Sequence, residues 1–339
     1  MTNALSQLLQ EREWLLLDGA TGTNLFAAGL MSGDAPELWN IDQPEKIIAL
    51  HEGFIEAGSD VILTNSFGGT RYRLKLHDAQ GRVRELNVAA ARLARKCADA
   101  AGRTVVVAGS VGPTGEIMEP IGPLAHADAV AAFEEQIAAL MEGGADVIWA
   151  ETISSVEEFR AVAEAAANLG APLCSTLSFD TAGRTMMGVT SEAYAALASS
   201  LATPPLAIGA NCGTGASDLL RTVLGISGAA PGMVVIAKAN AGIPKYADGH
   251  IHYDGTPELM ADYACLARDS GARLIGGCCG SMPEHIRAMR AALEDRPRGP
   301  RPGLEEIRSR IGDFTSANDG TGEAAGAGPR QTRRSRQRG

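Results

Sequence analysis

The sequence predicts an α/β fold, a (β/α)8 barrel, and two observations carry that prediction. The first is a recurrent pattern: an amphipathic helical stretch ends at glycine and a short apolar run follows at once, as in residues 54–64 and 140–151. Glycine ends a helix cheaply because it adopts the left-handed conformation, and an uninterrupted apolar run is typical of a strand buried on both faces. The second observation is the count. Eight such runs alternate with helical patterns, which favours a closed barrel over an open doubly wound sheet.

The eight predicted strands are short and apolar, and they cover residues 14–17, 61–63, 104–108, 147–150, 173–174, 206–209, 233–237 and 274–275. Residues 1–298 are therefore assigned to the barrel. A Gly- and Pro-rich stretch follows Arg298, and residues 299–311 form a short C-terminal helical segment. Residues 312–339 contain no aromatic side chain after Phe314 and end in an Arg-rich sequence, which predicts a disordered tail.

The composition is that of a globular protein with a substantial core, since 45% of the 339 residues are hydrophobic and 21% are charged. The net charge of −10 argues against nucleic acid or an anionic membrane as the main partner and favours a small-molecule substrate. No run approaches the roughly 20 apolar residues of a membrane span. The N-terminus carries Glu11, Arg12 and Glu13, so it does not resemble a signal peptide. We expect a cytoplasmic protein.

Six cysteines in a reducing compartment indicate core residues, metal ligands or nucleophiles rather than a disulfide framework. Three of them lie within helical or strand patterns and are predicted to be buried: Cys97, Cys174 and Cys265. Cys212 follows the sixth strand, and the pair Cys278-Cys279 follows the eighth. The carboxyl ends of barrel strands meet at one rim, so these three sulfurs could hold zinc tetrahedrally with one position open for a substrate sulfur. Spacing alone also allows a vicinal disulfide or a redox switch.

The polar residues at the other strand ends suit an amino-acid substrate. The turn after the first strand, Asp18-Gly19-Ala20-Thr21-Gly22, lacks the G-x-G-x-x-G spacing of a dinucleotide site. Its backbone amides could bind a carboxylate, and an acidic side chain could bind an ammonium group. Glu151 follows the apolar run 147–150 and is the second candidate for the ammonium.

Several motifs in this chain resemble the homocysteine S-methyltransferase family, which includes betaine–homocysteine methyltransferase and the homocysteine domain of cobalamin-dependent methionine synthase. They are Asp18-Gly19-Ala20-Thr21-Gly22-Thr23, Gly109-Ser110-Val111-Gly112-Pro113, Glu151-Thr152, Asn211-Cys212, Asn240-Ala241-Gly242-Ile243-Pro244 and Gly276-Gly277-Cys278-Cys279-Gly280 with Pro283 and His285. The resemblance covers about residues 14–290. It implies a (β/α)8 barrel with zinc on Cys212, Cys278 and Cys279. It also implies homocysteine contacts through Asp18, Gly19, Thr64 and Glu151, with Asn211 and Asn240 lining the pocket.

The implied reaction needs no catalytic base. A thiol is mostly protonated at neutral pH, but coordination to Zn²⁺ deprotonates it and leaves a sulfur nucleophile for a methyl donor. The donor is either betaine or a methylcorrinoid protein, so a corrinoid supplied by a partner is the second implied cofactor.

The residues that would recognise the donor leave both alternatives open. A quaternary ammonium group is typically bound in an aromatic cage. In the animal betaine enzymes of the family that this chain resembles, the cage consists of one Trp and two Tyr. Here Trp39 matches the Trp, while the two Tyr positions hold Gly68 and Thr152. A different cage could use Trp149, Phe179, Tyr246 and Tyr253. Residues 64–71 are instead similar to the homocysteine domain of methionine synthase, which fits the homocysteine subunit of a split cobalamin-dependent enzyme.

Two other classes of protein are alternatives. A phosphate-binding barrel lyase would need a Schiff-base lysine, for which Lys238 at a strand end is the candidate. A zinc or thiol sensor would bind metal without turnover. The sequence leaves a homo-oligomer open.

Overall fold

Eight parallel strands form the centre of the computed structural model, which describes residues 3–243, 245–247 and 250–318, with the backbone alone at 245–247 and 250–252. The strands of this part of the chain are β1 (Leu15–Leu16), β2 (Val61–Leu63), β3 (Val106–Val111), β4 (Val147–Ile153), β5 (Leu173–Leu177), β6 (Ala207–Cys212), β7 (Val234–Ala239), β8 (Lys245–Ala247), β9 (His250–His252) and β10 (Ala272–Gly277). The short strands β8 and β9 form a separate antiparallel pair. The other eight form one sheet in the order β1-β10-β7-β6-β5-β4-β3-β2.

Helices connect successive barrel strands along the chain. The α-helices of the described residues are α1 (Ala4–Glu11), α2 (Thr21–Ala27), α3 (Trp39–Asp42), α4 (Pro44–Glu56), α5 (Arg71–Leu74), α6 (Val83–Ala100), α7 (His126–Glu142), α8 (Val156–Asn168), α9 (Ser191–Ser200), α10 (Ala216–Ala229), α11 (Pro257–Asp269), α12 (Pro283–Asp295) and α13 (Leu304–Ile311). Short 3₁₀ helices cover Pro36–Leu38, Lys75–His77 and Gln80–Arg82. Among these helices, none combines the length and the apolarity that a bilayer crossing requires.

The barrel closes between β1 and β2 through a parallel bridge between Leu17 and Val61. Asp60, just before β2, reinforces this closure: its N–H donates to the carbonyl of Leu16 at 2.7 Å, and the N–H of Leu16 donates to its carboxylate at 3.0 Å. The same carboxylate is paired with Arg290 at 2.9 Å. The predicted (β/α)8 barrel is confirmed.

The strands are apolar throughout because both of their faces are buried. Alternate side chains of a strand point to opposite faces. One set fills the barrel interior together with Leu5, Leu8 and Leu9 of α1, and it consists of Leu15, Leu17, Val61, Leu63, Val106, Ala108, Val147, Trp149, Cys174, Ala207, Ile236 and Leu274. The alternate set packs in the layer shared with the helices and includes Leu16, Ile62, Val107, Ile148, Ile208, Val235 and Ile275. Hence the strands appear in the sequence as continuous apolar runs.

Several strands extend further toward the rim than the apolar runs predict. The predicted sixth strand ends at residue 209, whereas β6 continues to Cys212, because Ala210, Asn211 and Cys212 keep their pairing with β7. The fourth strand likewise extends beyond residue 150, to Ile153. The apolar runs therefore place Glu151 and Cys212 after their strands, but both residues lie within the C-terminal ends of those strands. The backbone pairing at these positions does not depend on apolar side chains, so the hydrophobic pattern gives no sign of it.

The C-terminal helix α13 lies within the predicted segment 299–311. Residues 312–318, which the sequence assigns to the tail, make specific contacts with α10. Thr315 donates two hydrogen bonds to the carboxylate of Asp218, from its backbone N–H at 2.9 Å and its hydroxyl at 2.7 Å. Arg221 lies over the ring of Phe314 at 4.7 Å. These seven residues therefore belong to the folded chain, and the remainder of the predicted tail, 319–339, lies outside the described residues.

Candidate functional site

Three cysteine sulfurs meet at the carboxyl ends of β6 and β10. Cys212 is the last residue of β6, while Cys278 and Cys279 follow β10 directly. The N–H of Cys278 donates to the carbonyl of Ala239 on β7 at 2.6 Å, and the carbonyl of Cys279 accepts from the N–H of Ala241 at 2.9 Å. The three sulfurs lie within 4.8 Å of one another, with 4.0 Å between those of Cys212 and Cys279. Among the described residues, this is the one cluster of His, Cys, Asp or Glu side chains that could hold a metal ion.

The other three cysteines, Cys97, Cys174 and Cys265, are buried as predicted. Within the cluster, the thiols share their protons by hydrogen bonding. Hydrogen bonds with Cys212 and Cys278 lower the pKa of Cys279, whereas hydrogen bonds with Cys278 and Cys279 raise the pKa of Cys212. One sulfur of the cluster is therefore favoured as a thiolate, which is the form that binds metal.

Backbone strain is concentrated beside the cluster. Cys212 and Thr152 have φ values of 60° and 64°, in the left-handed region. This conformation is rare for a β-branched residue, and such strained residues cost on the order of 1–3 kcal/mol each. The side chain of Asn211 holds Thr152 in place: its carbonyl oxygen accepts from the Thr152 N–H at 2.9 Å, and its amide donates to the Thr152 hydroxyl at 2.8 Å. The same amide lies 3.7 Å from the sulfur of Cys278. Asn211 thus connects β4 to the cysteines.

Replacing Asn211 with alanine is expected to lower the free energy of unfolding by about 2–3 kcal/mol, because Thr152 loses the buried bonds that hold its strained backbone. Denaturant unfolding measures the change. Asn168→Ala is the control, since the amide of Asn168 bonds an exposed carboxylate, that of Glu134. An Asn211→Ala protein as stable as the control would show that Asn211 does not hold Thr152.

A second group of polar side chains lies across the barrel rim. The hydroxyl of Ser110 on β3 donates to the carboxylate of Glu151 at 2.5 Å, and the Ser110 N–H donates to the hydroxyl of Thr64 at 2.9 Å. Burial raises the pKa of Glu151 to about 7, with Lys238 opposing the shift and Cys278 adding to it. Ser110 lies in one of the family motifs but is not among the predicted site residues. Its signal is a polar side chain within an apolar strand.

Asp18 is fully buried and is paired with Lys238. The Lys238 ammonium lies 2.9 Å from one carboxylate oxygen of Asp18, and the N–H of Leu63 donates to the other at 2.6 Å. Burial raises the pKa of Asp18 and the ammonium opposes that shift; two direct donors on its oxygens favour the ionised carboxylate. Burial lowers the pKa of Lys238, but the carboxylates of Asp18 and Glu151 outweigh it and the net shift is upward.

The upward shift bears on the alternative of a Schiff-base lyase. A lysine can attack a carbonyl group only as the neutral amine, and enzymes that use it depress its pKa. Lys238 is held instead as an ammonium ion by its ion pair. The environment of Lys238 therefore argues against that alternative.

Gly19 and Asn240 complete the predicted substrate residues. A Cβ atom at Gly19 would lie 2.7 Å from the carbonyl oxygen of Ser281 and 2.8 Å from the ring of Phe54, so only glycine fits there. The amide of Asn240 donates to the carbonyl of Gly213 at 3.0 Å. Its side-chain oxygen is buried and has no hydrogen-bond partner among the described residues.

The candidate donor-binding aromatic residues are in different environments. Trp39 is 9% exposed, and the ammonium of Lys46 lies 4.3 Å from its ring centroid. Trp149 is fully buried in the barrel interior, away from solvent. Phe179 borders the small cavity at Cys212, and Tyr253 packs so closely on Gly280 that a Cβ there would lie 2.4 Å from it. The side chain of Tyr246 lies outside the description.

Comparison with known proteins decides the family. The family model of homocysteine S-methyltransferase matches residues 15–293, most of the chain. The chain belongs to the homocysteine S-methyltransferase family. The resemblance inferred from the sequence motifs is thereby confirmed.

Individual members of the homocysteine S-methyltransferase family are similar to this chain over most of its length. It is 32% identical over 303 residues to a methionine synthase of Mycobacterium tuberculosis (strain ATCC 25618 / H37Rv), covering 84% of this chain and 25% of the relative. The chain thus spans about a quarter of that relative's length. The metallated form of the homocysteine methyltransferase MmuM from Escherichia coli superimposes with a TM-score of 0.71 at 27% identity, covering 85% of this chain and 99% of that one. Its apo form gives a TM-score of 0.68 at 26% identity, covering 86% and 100%.

Proposed function

We propose that this family member is a zinc-dependent S-methyltransferase that converts homocysteine to methionine. The observation that carries the proposal is the cluster of Cys212, Cys278 and Cys279 on the same rim as Glu151. Homocysteine offers a thiol at one end and an ammonium group at the other. A three-cysteine metal site and a buried carboxylate are the two groups that recognise them. The methionine synthase relative supports methionine as the product.

The cysteine cluster fits zinc. Tetrahedral zinc holds its sulfur ligands at about 2.3 Å, which separates them by about 3.8 Å. The 4.0 Å between the sulfurs of Cys212 and Cys279 needs little adjustment to reach that separation. Three cysteines leave a fourth position open, as in catalytic rather than structural zinc sites. The unpartnered side-chain oxygen of Asn240 is a further polar atom in the neighbouring loop.

Zinc held by these cysteines would deprotonate the substrate thiol and make it a nucleophile at neutral pH. The protein residues bind and orient the rest of homocysteine. Glu151 receives the ammonium group, and the hydroxyl of Ser110 fixes the carboxylate that does so. Asn211 holds the strained end of β4, on which Glu151 lies, against the cysteines. Gly19 lets the backbone lie close to the pocket, because a side chain at this position would clash with Ser281 and Phe54.

For the methyl donor we propose a methylated corrinoid protein. Large exposed apolar side chains follow the carboxyl ends of five barrel strands; they are Phe26, Met31, Phe67, Leu76, Ile117, Ile121, Met186, Met187 and Ile243. Because these strand ends meet at one rim, the side chains that follow them would contribute to one apolar surface, and a contiguous apolar surface is typical of a site that binds another protein. Trp39 is the residue that matches the Trp of a betaine cage, and the ammonium of Lys46 already lies over its ring. At Gly68, a Cβ atom would lie 2.9 Å from the carboxylate of Glu37, so this carboxylate occupies the space of an aromatic side chain.

Betaine is the second candidate donor. Phe179 and Tyr253 support it, because both lie beside the cysteine cluster and could receive a quaternary ammonium group between them.

The donor is tested with one preparation of reduced, zinc-loaded protein. Homocysteine is supplied with betaine in one sample and with a methylated corrinoid protein in another, and methionine is measured by mass spectrometry. We expect methionine in the corrinoid sample. Methionine in the betaine sample alone would establish betaine and reject the corrinoid proposal. Methionine in neither sample would reject the proposed function.

A further inference from the structure

Lys238 is the one fully buried lysine among the described residues, with 2% of its surface exposed. Its ammonium donates to one oxygen of Asp18 at 2.9 Å. The other oxygen of Asp18 is occupied by the N–H of Leu63. Each oxygen of Asp18 thus already accepts a hydrogen bond from the protein, whereas the one donor to the Glu151 carboxylate among the described residues is Ser110. Glu151 is therefore the freer acid for the substrate ammonium.

The ammonium of Lys238 has donors left over. A lysine ammonium carries three N–H donors, and among the described residues only Asp18 accepts a hydrogen bond from it. A buried cation with unused donors is costly unless another partner is available. Its positive charge lowers the pKa values of Glu151 and Cys278, although the net shift of each is upward. Lys238 is thus within electrostatic range of both ends of the site.

The position of Lys238 in the sheet also places it beside the strands that carry the site. On β7 it is paired with Asn211 of β6 and with Gly276 of β10, the two strands that lead to the cysteines. Bound homocysteine would extend from the cysteine cluster to Glu151. Its carboxylate is attached to the same carbon as its ammonium group, so it must lie beside Glu151. A cation on β7, the neighbour of both strands that lead to the cysteines, is placed to receive that carboxylate.

We propose that Lys238 binds the α-carboxylate of the substrate and selects an amino-acid thiol over a simple aminothiol. This inference rests on the proposed function, because it takes homocysteine as the substrate. Asp18 then acts as the anchor that holds Lys238 in position. In this arrangement the pocket pairs each charge of the substrate with one of opposite sign.

The test measures binding without any methyl donor. Zinc-loaded protein is titrated calorimetrically with L-homocysteine and with 3-aminopropane-1-thiol, which has the same thiol and amine but no carboxylate. We expect the wild-type protein to prefer homocysteine by about 10- to 100-fold, the usual worth of one charge-assisted hydrogen bond. Lys238→Met should remove this preference, because homocysteine alone of the two ligands has a carboxylate that loses its partner.

A second variant separates substrate binding from folding. Lys238→Met leaves Asp18 as a buried unpaired charge, which destabilises the fold. The double variant Asp18→Asn with Lys238→Met removes both charges, so it should regain thermal stability without regaining the preference for homocysteine. A double variant that recovers the wild-type preference would overturn the inference, because Lys238 would then serve only to pair Asp18. A Lys238→Met protein with an undiminished preference would overturn it as well. A wild-type protein that binds neither thiol would instead reject the proposed function, and the inference with it.

Discussion

Replacing Cys278 with alanine is expected to remove zinc from the protein and to lower methionine formation by about a thousandfold or more, because zinc affinity depends on every thiolate ligand. The sulfur of Cys278 lies within 4.8 Å of those of Cys212 and Cys279, and its loss leaves two ligands at most from the cluster. Metal analysis of the purified protein and a methionine assay measure the two effects.

Cys97→Ala is the matched control for this change. Cys97 is buried in α6, outside the cluster. Its variant should keep stoichiometric zinc and near wild-type activity. If Cys278→Ala also keeps zinc and activity, the cysteine cluster is not the metal site.

Replacing Glu151 with glutamine is expected to lower kcat/KM for homocysteine by about 10- to 100-fold, because an amide cannot form the charge-assisted hydrogen bond to the substrate ammonium. Glutamine keeps the size of the side chain and still accepts the hydrogen bond from Ser110. Steady-state kinetics at saturating methyl donor measures the change. The exposed residue Glu164, which bonds His126, provides the control Glu164→Gln.

The same residue predicts the pH dependence. Burial raises the pKa of Glu151 to about 7. The carboxyl group is therefore neutral below that pH and charged above it, so kcat/KM for homocysteine should fall as the pH drops through about 7. The Glu151→Gln variant should lack this acidic limb. An identical acidic limb in both proteins would show that another group titrates and that Glu151 does not receive the ammonium.

The sequence predicts the barrel because its physical cause is local. Strands buried on both faces need apolar residues at every position, and helices that end at glycine separate them. The polar residues that follow these runs, such as Asp18 and Cys278, then mark the catalytic rim. The family motifs add the roles of these residues, but not their contacts.

The contacts that the sequence does not predict join residues far apart along the chain. Thr152 adopts a left-handed conformation because Asn211 holds it, 59 residues away. Lys238 and Asp18 are separated by 220 residues, and only the closure of the barrel brings them together. A lysine within an apolar strand is a signal that a buried acid must exist, but it does not identify which one.

Trp39 shows a different limit. Its position matches the Trp of the aromatic cage in the animal betaine enzymes, but its function depends on the group that lies over the ring. In this chain that group is the ammonium of Lys46. Its role in donor binding stays a prediction, and a Lys46→Met variant that gained betaine-dependent activity would support it.

X-ray absorption at the zinc edge tests the central claim most directly, because it counts the sulfur ligands of the metal in the protein as isolated. We expect one zinc per chain with three sulfur ligands at about 2.3 Å, rising to four when homocysteine is added without a methyl donor. A sulfur count that does not rise with homocysteine, or a protein that binds no zinc, would contradict activation of the substrate thiol on the metal at Cys212, Cys278 and Cys279.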